Sequence, residues 1–177
     1  MSNITLKKVS ITGVAQLQKI GITTFSETFW EFNTPENLNK YLAESFSIEK
    51  LESEINNASS EFYLALDDTK DDTNTIGYLK VNFGESQTEL KDNTALEIER
   101  IYVLKEYQGK DVGQLLYQKA LAIAKQNNVE YIWLGVWENN KRAINFYKKN
   151  GFVTFDTHIF KLGNEQQTDF MMKLELD

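Results

Sequence analysis

Apolar and polar residues alternate with a period of two from Ile4 to Ile11, which predicts an opening strand. From Val14 the period changes to that of a helix: Val14, Leu17, Ile20 and Phe25 share one face, with Gly21 as a weak point in the middle. Thr34-Pro35-Glu36 opens a second helix, with Thr34 as N-cap, Pro35 in the first turn and Leu38, Tyr41 and Leu42 following at helical spacing. Ser47 caps a third, short helix carrying Ile48, Leu51 and Ile55. Strands are predicted at Glu61–Leu66 and Ile76–Phe83, joined by the charged loop Asp67–Asn74. The four aspartates of that loop lack the spacing, the glycine and the closing glutamate of an EF-hand, so a solvated hairpin tip outranks a calcium site.

Past residue 95 the two periods interleave. Leu96–Leu104 reads as a strand, and Val112, Leu115, Leu116, Ala120, Ile123 and Ala124 form the apolar stripe of a helix. Tyr131–Trp137 is the next strand, residues 140–150 a helix stopped by Gly151, and Phe152–Phe160 and Asp169–Leu176 are closing strands. The predicted order β-α-α-α-β-β-β-α-β-α-β-β, without repeats or linkers, describes one α/β or α+β domain spanning residues 1–177.

Composition narrows the chemistry. The 177 residues are 41% hydrophobic and 12% aromatic, enough for a sizeable core. No run of about 18 apolar residues offers a membrane span, and the N-terminal charges precede no apolar stretch of a signal peptide, so the expected compartment is the cytoplasm. Having no cysteine, the chain lacks disulfides, thiolate metal sites and a cysteine nucleophile. Its single histidine, His158, cannot build a histidine metal cluster, and no metal is expected. A net charge of −7 with no basic stripe argues against nucleic acid as a partner. The same acidity would attract a cationic small substrate, or would merely keep the protein soluble.

Two turns carry the most specific signal. Gln108-Gly109-Lys110-Asp111-Val112-Gly113 follows a strand and opens a helix, and Asn140-Lys141-Arg142-Ala143-Ile144-Asn145-Phe146-Tyr147 closes at Gly151-Phe152. A glycine-bearing turn at a helix N-terminus gathers free N–H groups and the positive end of the helix dipole, which makes an anion site suited to a pyrophosphate. A tyrosine one helix downstream is then placed to donate a proton.

These turns, in this order of elements, resemble the GNAT superfamily of N-acetyltransferases over essentially the whole chain. The family's acetyl-CoA motif, Arg/Gln-x-x-Gly-x-Gly/Ala, is matched at Gln108 and Gly113 but not at Asp111. Glu97-Ile98-Glu99-Arg100-Ile101-Tyr102-Val103 resembles its fourth strand, and Asn140-x-x-Ala143 with Phe146-Tyr147-x-x-x-Gly151-Phe152 resembles its second cofactor motif. The segments Phe25–Phe29, Asn33–Leu38 and Gly163–Asp169 further resemble the PaiA-type polyamine acetyltransferases, which would imply spermidine or spermine as acceptor. The implied fold is a mixed, mostly antiparallel sheet of about seven strands flanked by helices.

The resemblance also implies roles. Backbone groups of Ile101, Tyr102 and Val103 would pair with the pantetheine arm, while their side chains pack as core. Gln108, Gly109, Lys110, Asp111, Val112, Gly113 and Gln114 would cradle the pyrophosphate, with Asn140, Tyr147 and Lys149 completing the cofactor set. Asn140 reads equally well as a simple N-cap. Asp111 either faces the phosphates and weakens binding, or points outward and is tolerated. Tyr147 would be the general acid toward the leaving thiolate, the competing role being core packing. Glu97 and Glu99, on one face of a strand by period two, would serve as base or cation-binding carboxylates, or are surface residues. Trp30, Glu31 and Tyr41 would line the acceptor groove. With no cysteine to carry an acetyl group, transfer would be direct, within a ternary complex of acetyl-CoA and a small amine. A peptide or protein amine is the alternative acceptor, and an acyl-CoA-binding regulator without turnover the alternative outside enzymes. Neither nucleic acid nor membrane is an expected partner, and a homodimer is compatible with the chain.

Overall fold

Buried apolar side chains of the computed structural model, which describes residues 3–70, 74–162 and 164–177, divide into two main clusters on opposite faces of one sheet. Strand β1 (Ile4–Lys8) stops short of the expected Ile11, where the chain turns through Ile11–Gly13 into helix α1 (Val14–Phe29). Helix α2 (Pro35–Ser45) starts as expected, the Thr34 hydroxyl accepting from Asn37 N–H, and α3 (Ile48–Ile55) starts on the Ser47 hydroxyl, which accepts from Lys50 N–H. Then follow β2 (Ser60–Asp67), β3 (Thr75–Phe83), β4 (Ala95–Val103), α4 (Val112–Gln126), β5 (Tyr131–Trp137), α5 (Lys141–Lys149), β6 (Val153–Leu162) and β7 (Glu165–Glu175). Part of the loop expected at Asp67–Asn74 (residues 71–73) and Gly163 lie outside the described residues.

Among the described residues seven strands form one sheet in the order β1-β2-β3-β4-β5-β7-β6, antiparallel except for β4 beside β5. One face packs on α4 and α5 through Leu79, Val81, Ile98, Leu116, Ile123, Ile132 and Phe152. The other packs on α1, α2 and α3 through Leu17, Phe25, Leu38, Phe46, Leu51, Phe62 and Tyr78. Gly21 does not break α1: it sits where a β-carbon would collide with the buried Phe46 ring, so helix packing decides this position against propensity. Strand β7 begins four residues earlier than the apolar pattern suggests, at Glu165, because its polar start pairs residue by residue with edge strand β6. No helix among the described residues is long and apolar enough to cross a membrane.

Candidate functional site

Two departures from a regular sheet open the middle of the molecule. Strands β4 and β5 pair only at Ala95–Tyr131, Leu96–Ile132 and Glu97–Trp133, after which they diverge toward Val103 and Trp137. On the other side of β4, Lys80 lies opposite Arg100 and Val81 opposite Ile98, so Glu99 is an unopposed extra residue, a β-bulge. The bulge resets the alternation. Tyr102 therefore packs with the α1–α3 cluster, while Ile101 and Val103 pack on the α4 side. The free edge of β4 at Ile101, Tyr102 and Val103 thus borders an open crevice rather than a neighbouring strand.

A groove of about 290 Å³ runs along that edge. It is lined by Ile101, Tyr102 and Val103, by Gln108, Gly109, Asp111, Gly113 and Gln114 of the first turn, and by Asn140, Arg142, Tyr147 and Lys149 of the second. Gly109 takes φ +78°, and β-carbons built at Gly109 or Gly113 would meet nothing within 4 Å, so both glycines leave room for a ligand to approach the backbone. The first N–H groups of α4 have no partner inside the helix. Arg142, absent from the sequence-based set, donates to the Gln108 side-chain carbonyl, while Gln108 Nε2 donates to Val103 O at 3.2 Å. One glutamine thereby ties both turns to the strand edge. Free N–H groups, two open glycines and the cations Arg142 and Lys149 fit a pyrophosphate.

Asp111 is the left-handed residue of the turn, at φ +62°, and its carboxylate caps no N–H of α4. It supplies the conformation that glycine would supply more cheaply, and it lines the groove. Val112 is buried in the α4 core, and Lys110 lies over the Tyr107 ring at 5.1 Å, so neither side chain lines the groove and only their backbone N–H groups are left for the expected cradle.

A second cavity, of about 470 Å³, lies on the α1–α2 side of the splayed strands. The groove and the cavity share Ile101, Tyr102, Asn140, Ala143 and Tyr147. Tyr147 packs its ring against Phe146 and Phe152, with centroids at 5.3 and 5.6 Å. Burial raises its phenol above the usual range, so the proton stays on oxygen at neutral pH. Tyr147 thus packs in the core and also lines both spaces. Asn140 does cap α5, its Oδ1 accepting from Ala143 N–H at 3.1 Å, while still lining both spaces.

Neither carboxylate of β4 is the surface residue that alternation allowed. Glu99 accepts from Lys80 Nζ at 2.6 Å and Asn82 Nδ2 at 2.6 Å, and lies 3.3 Å from Arg100 Nη2. Burial pushes its carboxyl up, but Arg100 and Lys80 outweigh that and hold it at about 2. A carboxylate so tightly paired is a poor base at neutral pH. Glu97 is 2% exposed and accepts from Thr88 Oγ1 at 2.5 Å, Thr88 N–H at 2.8 Å and Asn82 Nδ2 at 3.0 Å. Burial raises its carboxyl above the usual range despite those bonds.

Tyr41 lines the cavity, stacked on Phe25 with centroids at 4.6 Å. Trp30 and Glu31, expected beside it, do not: they lie on an exposed turn after α1, and Phe29 and Trp137 supply the aromatic wall instead. Sequence reasoning missed the opposite wall. There β6 and β7 contribute His158, Phe160, Gln167 and Asp169, and the loop before β4 adds Thr88 and Glu89. Glu89, Glu97, Glu99 and Asp169 face two permanent cations, Arg100 and Lys161, so the cavity carries a carboxylate excess.

Residues 23–152 match the acetyltransferase (GNAT) family. An uncharacterized N-acetyltransferase of the pepI 3′ region from Lactobacillus delbrueckii subsp. lactis is 36% identical over 176 residues, 99% of each chain. A spermidine N(1)-acetyltransferase of Thermoplasma acidophilum is 26% identical over 155 residues, 88% of this chain and 91% of its own. The crystal structure of PaiA N-acetyltransferase from Thermoplasma acidophilum, in complex with coenzyme A, superposes with a TM-score of 0.79 at 25% identity, covering 98% of this chain and 99% of the other.

Proposed function

The chain belongs to the acetyltransferase (GNAT) family, is an N-acetyltransferase with acetyl-CoA as its donor, and we propose that, as one catalytic domain, it acetylates a primary amine of a polyamine such as spermidine or spermine. The observation that carries this is the meeting of an anion-suited groove and a carboxylate-rich cavity at Tyr147. Such a junction suits direct transfer, with donor and acceptor bound on opposite sides of the β4–β5 crevice.

The first turns of α4 and α5 would hold the pyrophosphate, and the free edge of β4 the pantetheine arm. Acetyl-CoA supplies an acetyl carbon activated as a thioester. The attacking nitrogen must first lose a proton, since alkylamines are protonated at neutral pH. Glu97, buried and raised, suits the acceptance of that proton directly or through water, whereas Glu99 suits only a fixed negative charge. Tyr147 keeps its proton at neutral pH and donates it to sulfur as the carbon–sulfur bond breaks. Glu97→Gln should therefore remove the acidic limb of the kcat/KM profile and lower its plateau by roughly 10²–10⁴. An unaltered profile would exclude Glu97 as the base.

Asp111→Gly should tighten acetyl-CoA binding several-fold, since a like charge at 4 Å from a phosphate costs about 1 kcal/mol in water. The gain should shrink as salt rises. Calorimetric titration at two salt concentrations checks this, and equal affinity at both would show a carboxylate turned away from the phosphates.

Acceptor class is tested by free-thiol release with spermidine, spermine, butylamine and a peptide with a free N-terminus. The polyamines should give the highest kcat/KM. A peptide turned over faster than either polyamine would replace the proposed acceptor.

A further inference from the structure

The β6–β7 hairpin sets His158 and Asp169 side by side, His158 directly opposite Asp169 in the ladder, and both line the acceptor cavity. Gln167 is two residues from Asp169 on the same strand, hence on the same face, and lines the cavity too. On this wall Asp169 Oδ1, Gln167 Oε1 and His158 Nδ1 are shut from solvent and lack a hydrogen-bond partner among the described residues. A buried polar atom is costly to leave without a partner, and three of them stand together on this one cavity wall. Two of the three are oxygens that can only accept.

Among the described residues no lysine or arginine pairs with Asp169. The nearest basic atom is His158 Nε2 at 3.8 Å, itself 4.0 Å from a Glu89 oxygen. Burial pushes the Asp169 carboxyl up to about 6, with His158 opposing and Glu138 adding to the rise. Space for the ring comes from Gly135 of β5, where a β-carbon would stand 3.1 Å from His158 Cε1 and 3.7 Å from Asp169 Oδ2. The wall is thus a preformed polar cluster around one under-compensated carboxylate, on two strands that the proposed transfer does not otherwise use.

Resting on the polyamine acceptor proposed above, we infer that Asp169, Gln167 and His158 form a subsite for a second ammonium of the acceptor, remote from the nitrogen that is acetylated. An ammonium brings two or three N–H donors and a positive charge, which is what the two vacant oxygens of Asp169 and Gln167 lack. Holding the far end of the chain there leaves the near amine free to reach the junction at Tyr147. A monoamine of similar length reaches the same junction without this anchor. The subsite therefore sets specificity and acts mainly on KM.

The test compares spermidine with butylamine in wild type and Asp169→Asn, an isosteric change that removes the charge, with thermal melts to confirm folding. The spermidine KM should rise tenfold or more, and the loss of kcat/KM on spermidine should exceed that on butylamine by at least tenfold. Gln167→Glu supplies the opposite change and should lower the spermidine KM several-fold without a matching gain on butylamine. Equal losses on both acceptors, or no loss on spermidine, would overturn the subsite. Wild type favouring butylamine over spermidine would instead overturn the polyamine acceptor itself.

Discussion

Replacing Tyr147 by phenylalanine is expected to lower turnover by roughly 10²–10⁴, the range of a positioned proton donor, while acetyl-CoA binds almost as before. The change removes one oxygen and keeps the ring that packs between Phe146 and Phe152. The α4-side core should consequently survive, and the melting temperature should move little. The acetylated nitrogen still attacks in this variant, but the leaving sulfur departs without its proton. Loss should accordingly fall on kcat, and should ease with thioester donors whose thiols are more acidic. Steady-state kinetics with such donors measures this. Turnover within twofold of wild type, with chemistry rate-limiting, would reduce Tyr147 to packing alone.

Gly113→Asp should abolish detectable acetyl-CoA binding in a protein that remains folded. Gly113 stands in the first turn of α4, outside the left-handed region, and a β-carbon there enters open groove. An aspartate in that turn is favourable to the helix dipole, so stability is retained or slightly raised. The same carboxylate occupies the space read as the pyrophosphate cradle and adds a like charge. In wild type, ligand at 100 times its Kd stabilises by about 2.7 kcal/mol, a shift of roughly 5–10 °C for a chain of this size. A hundredfold weaker Kd leaves about 0.4 kcal/mol at the same concentration, close to no shift. Thermal melts with and without acetyl-CoA separate the outcomes. A full ligand shift in Gly113→Asp would mean that the pyrophosphate lies elsewhere.

Local signals were legible in the chain, and long-range pairings were not. The caps at Thr34 and Ser47, the glycine turn at 108–113 and the helix stop at Gly151 are set by neighbours within a few residues, and each forms as the side chains require. The element order followed from the changes between period two and helical period. Beyond that reach, the Glu99 bulge depends on how β3 pairs with β4, so strict alternation gave no hint that Tyr102 would turn to the α1–α3 side. The same pairing brings Lys80 beside Glu99 and removes it from the candidate bases. The resemblance implies Trp30 and Glu31 in the acceptor groove, but the short turn after α1 leaves them exposed and the wall to Phe29 and Trp137. The His158–Asp169 wall had one weak signal: the two lie equidistant from the turn between β6 and β7. That signal becomes meaningful once the hairpin register is known.

The central claim is that an acetyl group passes directly from acetyl-CoA to a polyamine nitrogen across the junction at Tyr147. Mass spectrometry of protein and small molecules after incubation with acetyl-CoA and spermidine tests it most directly. The expected result is one acetylspermidine for each free thiol, an unmodified protein, and no thiol release when spermidine is omitted. Thiol released without acetylated amine, or an acetyl group retained on the protein before spermidine is added, would contradict it.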